Sequence, residues 1–408
     1  MLRTYYENMK STFQFQYSEK PRAFTRMNIE LASILAEAYQ PGKKVVWTSF
    51  YSFPMELLAA FDVATFDFEI AANILPTVDP DGCVNIMSRA EEEGYSTDIC
   101  SFHRLAMGCQ LLGYMPPADL LCSSTYFCDG KAMLNRVLAH YHGKEAVTLD
   151  VPNRITRETV GYVTGQIRSI ADKLEEVTGR KLDRDRLGEC IKESNLARKA
   201  YGRLAEIYKS KPFPWNGRLA YNMSIFGNML TGKPQQKEIY ADLLQECRDK
   251  LEKGTLAPDR FRIMWLAWYP LQPTVIGGFF RRNAVAIVTG ELIKVFWDEI
   301  DERDPWEGMA LRCLKNPYVG PIEQRLENIM RNVDEYGIDG VVHFSTDACR
   351  HSCAGSRLIG DALQKKGVPY LILEGDLSDK RKYSEERTMH LLENFVEMMA
   401  GNKQRSIL

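Results

Sequence analysis

The stretch Gly340-Val341-Val342-His343-Phe344, followed by Ser356 to Lys366 and Val368 to Leu373, decides the fold. The first run has the apolar composition of a buried strand, the second has helical spacing, and the third is again strand-like. Gly367 stands where a helix commonly ends, because glycine readily adopts the left-handed conformation needed there. A strand, a helix and a second strand in this order predict two parallel strands with a helix crossing between them.

The same alternation occurs in the first half of the chain. Lys43 to Phe50 is short, apolar and β-prone, and Pro54 to Phe61 then has a helical pattern. Ala118 to Ser123 is strand-like, Lys131 to Tyr141 is helix-like, and Glu145 to Asp150 is again strand-like. Repeated strand, helix and strand indicate a second parallel sheet covered by helices.

Between these two halves the sequence is rich in Glu, Lys, Arg and Leu at helical spacing, as in Ile167 to Glu176 and Leu187 to Tyr208, with a break at Lys211 to Pro214. Strand-like runs resume at Phe261 to Trp268 and Asn283 to Val288, and the amphipathic stretch Ser384 to Met399 predicts a closing helix. The prediction is an α/β protein with two Rossmann-like parallel-sheet domains and a helical middle section. Its predicted parts are an N-terminal helical segment (1–40), a first α/β domain (41–153), a helical section (154–258) and a second α/β domain (259–408).

Composition excludes several classes of protein. The 408 residues carry 52 Lys and Arg against 54 Asp and Glu, a net charge of −2, which argues against a nucleic-acid-binding surface. No run approaches the roughly 20 apolar residues that span a bilayer, and the first residues lack the apolar stretch of a signal peptide. We therefore expect a cytoplasmic protein without a membrane or nucleic-acid partner.

Common nucleotide and metal motifs are also absent from the sequence. There is no phosphate-binding Walker loop, no GxGxxG after a strand, no HExxH and no CxxC. The six histidines show no ligand spacing, and each one alone is better interpreted as structural.

The ten cysteines are more informative, because a reducing compartment disfavours a disulfide framework. Cys128 and Cys349 each lie between a predicted strand and the helix that follows, in two different units, and Cys100 lies in a polar loop before a short apolar run. Ligands of parallel sheets bind at the carboxyl ends of the strands. Thiolates from these loops could therefore converge on an iron–sulfur cluster, stabilised by N–H groups of helix N-termini. The alternative is that they are buried packing thiols.

Several segments, in order, resemble the benzoyl-CoA reductase and 2-hydroxyacyl-CoA dehydratase family. The resemblance runs from about Val45 to Met399 and rests on Trp47-Thr48-Ser49 with Phe53 to Leu57, Gly94 to Cys100, Phe127 to Gly130, Asp339 to Arg350, Gly367-Val368-Pro369 and Glu374-Gly375-Asp376. In this family each subunit of a heterodimer binds one [4Fe-4S] cluster through three cysteines. The resemblance implies that these are Cys100, Cys128 and Cys349, which leaves one iron open to water or a substrate oxygen.

The other cysteines do not fall on the family's ligand positions. Cys353 is four residues beyond Cys349, and the remaining ones are expected to be packing thiols: Cys83, Cys109, Cys122, Cys190, Cys247 and Cys313.

The resemblance implies that the chain is the iron–sulfur subunit of an (R)-2-hydroxyacyl-CoA dehydratase. Such an enzyme removes water to give a 2-enoyl-CoA through a ketyl radical, with a related second subunit and an ATP-dependent iron–sulfur activator as partners. One alternative is a benzoyl-CoA reductase subunit, which would carry out a two-electron ring reduction. Another is a non-catalytic electron-relay or scaffold subunit.

Ser49 and Ser52, near the end of the first strand, are candidate catalytic hydroxyls that would hydrogen-bond the substrate thioester. The alternative interpretation, which the sequence favours equally, is that both serines only cap the following helix. Glu56 is an acid or base by chemistry, but its place inside that helix favours a structural role.

Overall fold

The computed structural model describes residues 1–16, 22–49, 53–294, 298–316 and 318–405. Within these ranges the chain forms two four-stranded parallel sheets surrounded by helices. The strands are β1 Val45–Thr48, β2 Ala64–Asp67, β3 Leu120–Ser124, β4 Ala146–Leu149, β5 Phe261–Ala267, β6 Val285–Gly290, β7 Gly340–Ser345 and β8 Tyr370–Glu374. The helices are α1 Leu2–Gln16, α2 Ala23–Glu37, α3 Met55–Ala60, α4 Phe68–Asn73, α5 Pro80–Glu92, α6 Ser101–Leu111, α7 Asp129–His142, α8 Arg157–Thr178, α9 Arg184–Ile207, α10 Gly217–Gly227, α11 Pro234–Glu252, α12 Ile276–Arg282, α13 Glu291–Lys294, α14 Pro305–Leu314, α15 Ile322–Tyr336, α16 Arg350–Cys353, α17 Ser356–Lys365 and α18 Glu385–Arg405.

The first sheet has the strand order β2-β1-β3-β4, and all its strands are parallel. All residues of β1, β2 and β3 are buried, whereas β4 at the edge is mostly half-buried. Helices on both faces of a parallel sheet explain why its inner strands are apolar without alternation. After β2 the chain crosses to the other side of β1, so the order reverses between β1 and β3.

The second sheet has the order β6-β5-β7-β8, which is the same topology with each strand number raised by four. Every residue of β5 is buried, and Ile263 lies opposite Gly340 in the register with β7. The order reverses between β5 and β7. Crevices at such reversal points, beyond the carboxyl ends of the strands, are where open α/β sheets bind ligands.

These sheets confirm the predicted α/β class and its two parallel-sheet units. Gly367 follows the last turn of α17 with φ +73°, and the N–H of Val368 donates to the carbonyl of Leu363 at 2.9 Å, so the predicted helix stop is correct. Strand β2 was not predicted from the sequence, because its four residues run directly into α4 without a turn. Asp67 ends the strand and also caps α4, accepting from the N–H groups of Glu69 and Ile70.

Helices alone occupy the middle of the chain between β4 and β5, within the described range 53–294. In α8 the buried side chains recur every three or four residues, which places one face on the core: Val163, Ile167, Ile170, Ala171 and Leu174. The predicted break falls between α9 and α10. The exact domain boundaries remain a prediction.

The carboxyl ends of the two sheets face each other. Trp268, which follows β5, packs edge-on against Phe127, which follows β3, with ring centroids 5.7 Å apart. Below this contact Arg104 of α6 is fully buried and donates to Asp379 at 3.0 Å, and Ser378 donates to Asn73 at 2.7 Å. The two reversal points therefore open into one shared region. Among the described residues, no helix combines the length and apolar composition that crossing a membrane requires.

Candidate functional site

Three cysteines occupy equivalent positions, each immediately before the first residue of a helix. Cys100 precedes α6, Cys128 precedes α7 and Cys349 precedes α16, and none of the three side chains caps its helix. Cys128 follows β3 and Cys349 follows β7, the strands that border the reversal point of each sheet. The predicted equivalence of these two loops is confirmed. Backbone N–H groups at such positions stabilise negative charge on sulfur.

Exposure separates these cysteines from most of the others. Cys100, Cys128, Cys349 and Cys353 are half-buried, whereas the six cysteines expected to be packing thiols are all buried. Cys353 is already engaged, since its Sγ donates to the carbonyl of Thr346 at 2.9 Å.

The three thiols lie close enough to influence one another. Burial, and then the charges of Cys349 and Cys128, raise the pKa of Cys100 well above its usual range. Burial raises the pKa of Cys349 to about 11, partly offset by backbone hydrogen bonds from Ser352 and His351. Mutual repulsion of this kind is relieved when the thiolates bind a cation, as they do in metal sites.

A hydrogen-bonded chain runs from Cys128 through His103 to Glu69. His103 Nε2 lies 3.1 Å from Glu69 Oε1, and the imidazole also bonds the Cys128 thiol. Although burial opposes a charged ring, these two partners raise the pKa of His103 to about 10, so the imidazole is protonated at neutral pH. Burial alone would raise the pKa of Cys128. The hydrogen bond and charge of His103 outweigh this effect, so the pKa of Cys128 is lowered below its usual value. Gly130 permits this approach, since a Cβ there would lie 3.0 Å from His103 Cε1.

A buried basic residue, Lys131, lies one helical turn after Cys128. Its side chain is 1% exposed and lies 5.2 Å from the ring centroid of Phe127. Burial lowers the pKa of Lys131, although Glu69, Cys128 and Asp67 partly oppose this shift. The site thus places a protonated imidazole and a buried amine beside the Cys128 sulfur.

The chemistry of the donor set is that of a thiolate site, and its arrangement is not that of a site for a single metal ion. Among the described residues, no three His, Cys, Asp or Glu side chains are arranged to hold one ion. Cysteine sulfurs from separate loops, each beside the N–H groups of a helix N-terminus, are of the ligand type that iron–sulfur clusters use.

The predicted serines are less informative. Ser49 is buried at the end of β1, and Pro54 occupies the cap of α3, so Ser49 does not cap that helix. Ser52 lies outside the described residues. Glu56 is fully buried and accepts from both terminal nitrogens of Arg312, as well as from Ser194 Oγ at 2.6 Å. These contacts support a structural role for Glu56.

A cavity of about 810 Å³ lies between α9, α14, α15 and one face of the second sheet. Its volume is in the range of pockets for cofactor-sized ligands. Tyr318, on its inner wall, packs edge-on against Phe127 at 5.0 Å and His351 at 5.7 Å, the residues next to Cys128 and close to Cys349. The inner end therefore reaches the cysteine loops.

The rim of this cavity is rich in cations that were not predicted as site residues from the sequence. They are Arg198, Lys199, Arg203, Lys315 and Arg331. The spacing of the first three, on one helix, was a usable signal of a basic face. His103 and Lys131 were also missed. Their signal was the same in both cases, a basic residue three positions after a candidate cysteine, in the first turn of the helix that follows.

Comparison with known proteins shows one family over most of the chain. Residues 50–399 match the family model of the 2-hydroxyglutaryl-CoA dehydratase D-component. The chain is 22% identical to the (R)-phenyllactyl-CoA dehydratase alpha subunit of Clostridium sporogenes, covering 90% of this chain and 92% of that one. It is 24% identical to the (R)-2-hydroxyisocaproyl-CoA dehydratase alpha subunit of Clostridioides difficile, covering 95% and 98%. It is also 26% identical to a benzoyl-CoA reductase subunit of Thauera aromatica, covering 76% and 78%.

Proposed function

Because the chain belongs to the family of the 2-hydroxyglutaryl-CoA dehydratase D-component, we propose that it is the iron–sulfur subunit of an (R)-2-hydroxyacyl-CoA dehydratase. Its reaction would remove water from the substrate through a ketyl radical and give a 2-enoyl-CoA. The observation that carries the proposal is the cavity whose inner wall, at Tyr318, contacts residues beside Cys128 and Cys349.

Cys100, Cys128 and Cys349 would hold a [4Fe-4S] cluster. When bound, the cluster would supply one-electron transfer and Lewis acidity toward a substrate oxygen. His103, whose pKa is raised by its hydrogen bonds to Cys128 and Glu69, donates to the Cys128 sulfur, and the buried amine of Lys131 lies beside it. The protonated imidazole would offset part of the negative charge that three thiolates bring into a poorly hydrated site, and Lys131 would add a hydrogen-bond donor.

The cavity would bind the acyl-CoA. Cations on its rim suit the CoA phosphates, since arginine and lysine are the usual partners of phosphate groups. The buried side chains Met264, Tyr318 and Ile329 line the inner wall, where they would exclude water from the reacting carbons. This arrangement orients the thioester toward the cysteine loops.

The cavity also bears on the two alternatives. A relay or scaffold subunit needs no ligand-sized cavity next to its cysteines, so the cavity favours a catalytic subunit. A benzoyl-CoA reductase subunit keeps support from the Thauera aromatica relative. The two (R)-2-hydroxyacyl-CoA dehydratase relatives, which cover more of the chain, favour the dehydratase.

A related second subunit and an ATP-dependent iron–sulfur activator are the proposed partners. All three relatives are named as one subunit of a larger enzyme, which supports a multi-subunit assembly here as well.

The test is an anaerobic assay of the chain co-purified with its partner subunit and supplied with activator and ATP. We expect conversion of an (R)-2-hydroxyacyl-CoA to the 2-enoyl-CoA. Liquid chromatography and mass spectrometry would measure the substrate and the product. Reduction of benzoyl-CoA without any dehydration would favour the reductase. Absence of both reactions in an iron-loaded complex would contradict a catalytic subunit.

A further inference from the structure

The cavity carries its positive charge very unevenly. At the inner end, Arg312 and Arg325 are each bound by a buried carboxylate. Arg312 donates through both terminal nitrogens to Glu56, and Arg325 Nε lies 2.6 Å from Glu291 Oε1. Burial disfavours the charged carboxyls, but the adjacent guanidinium groups prevail and lower the pKa of Glu56 and of Glu291. Each pair is therefore ionised and neutral overall.

The terminal nitrogens of these arginines are also engaged. Arg325 Nη2 donates to Glu291 Oε2 at 2.9 Å, and its Nη1 donates to the carbonyls of His351 and Ala354, both at 3.1 Å. The two terminal nitrogens of Arg312 are committed to Glu56. Arg325 therefore offers no paired donors to a ligand carboxylate, and the terminal pair of Arg312 already binds the carboxylate of Glu56.

The rest of the inner wall combines apolar side chains with the neutral polar groups of Tyr201 and Asn332, and no further lysine or arginine among the described residues is buried there. Met264 and Ile329 are 0% exposed, and Ala205 and the ring of Tyr318 are also buried. A carboxylate brought here would lose its hydration, with no cation available to replace it.

The rim has the opposite character. Arg203 and Lys315 are exposed and form no ion pair with any residue that the structure describes. Arg198 and Lys199 share the exposed Glu299 at 3.4 and 3.5 Å. Glu206 and Asp298 also line the cavity, but lysine and arginine outnumber the acidic residues, so the rim is positive overall. Available positive charge is thus confined to the mouth of the cavity.

We infer that the substrate's acyl group is uncharged, with an aliphatic or aromatic side chain and no second carboxylate. The inference rests on the proposed function and narrows it. The anionic CoA portion would remain at the mouth, and the acyl chain would enter the neutral, apolar inner end.

The experiment compares two thioesters that share the CoA portion and lack the 2-hydroxyl, so that neither turns over. Isothermal titration calorimetry on the anaerobic complex would measure 4-methylpentanoyl-CoA and glutaryl-CoA. We expect 4-methylpentanoyl-CoA to bind on the order of tenfold more tightly or better. Equal affinities, or tighter binding of glutaryl-CoA, would overturn the inference and leave the proposed function intact. Binding of neither thioester would overturn both.

A matched pair of variants tests whether the neutralisation of Arg325 by Glu291 causes the preference for an uncharged acyl group. Glu291→Gln keeps an acceptor oxygen near Arg325 but removes the balancing charge, so we expect the affinity ratio to move toward glutaryl-CoA by about tenfold. Glu299→Gln makes the same change at the rim and is expected to leave the ratio unchanged. An unchanged ratio in Glu291→Gln would refute neutralisation as the cause. If that variant fails to fold, the comparison of the two thioesters on the unmodified complex still decides.

Discussion

Arg325 and Glu291 form a buried, two-pronged ion pair, with Nε to Oε1 at 2.6 Å and Nη2 to Oε2 at 2.9 Å. The pair joins three segments at the carboxyl end of the second sheet. Glu291 also accepts from the N–H of Ala267 at the end of β5, where φ is +59°, and Arg325 holds two carbonyls of the turn that follows Cys349. The position of Cys349 therefore depends on a side chain from α15, far from it in sequence.

The first prediction concerns the ion pair between Arg325 and Glu291. Arg325→Lys keeps the charge but loses the planar fork, so we expect the apo chain to lose about 2 kcal/mol of unfolding free energy. We also expect faster hydrogen exchange in the peptide containing residues 346–354. Arg331→Lys, an exposed change on the same helix, is the control. Equal exchange in both variants would show that Arg325 does not hold the turn.

The second prediction concerns the ligands. Anaerobically purified chain should carry about four irons and four sulfides. Cys128→Ala or Cys349→Ala should abolish the charge-transfer absorption of the cluster, whereas Cys190→Ala and Cys247→Ala, both buried in the helical section, should leave it intact. Zinc in place of iron, or equal iron in all four variants, would rule out this ligand set.

The third prediction is a pH dependence in the iron-free chain. Because the pKa of Cys128 is lowered by His103, this thiol should react with iodoacetamide at a lower pH than an ordinary cysteine. Cys349, whose pKa burial raises to about 11, should react only in more alkaline solution. His103→Gln should move the Cys128 profile to higher pH and leave the Cys349 profile in place. Peptide mass spectrometry after timed alkylation measures both, and coincident profiles for the two thiols would be inconsistent with this.

The fourth prediction concerns the rim of the cavity. Arg203→Glu should raise KM for the acyl-CoA roughly tenfold at low salt, with a smaller effect at high salt, because exposed charges are screened. Lys192→Glu reverses a charge on an exposed residue of the same helix that does not line the cavity, and KM should not change. If the two variants raise KM equally, a general effect of net charge explains the result, and the rim does not bind CoA.

The fifth prediction concerns oxygen. A cluster held by three thiolates leaves an iron exposed, and a substrate cavity also admits dioxygen. Brief air exposure should destroy activity and bleach the cluster while far-UV circular dichroism changes little, because apolar burial holds the sheets and helices together. Activity and absorption that survive prolonged aeration would indicate a closed, structural cluster and would favour the relay alternative.

The sequence alone determined the class of fold and the loops that matter. Strands such as Gly340 to Phe344 are buried on both faces, so their composition identifies them without any neighbour. The position of Cys128 and Cys349 at strand ends is also predictable from the sequence, because a loop between a strand and a helix is a local feature of the chain. The short strand β2 escaped because four residues that pass directly into a helix carry too weak a pattern.

Only the tertiary structure decided which residues surround those cysteines. His103 comes to Cys128 because α6 and α7 pack together, and Arg325 reaches the Cys349 turn because α15 covers the face of the second sheet. The neutral inner end of the cavity likewise depends on Glu56 meeting Arg312 across 256 residues of chain. The sequence shows which residues are charged. Whether a charge is neutralised depends on which side chains are buried against each other, and that follows only from the tertiary structure.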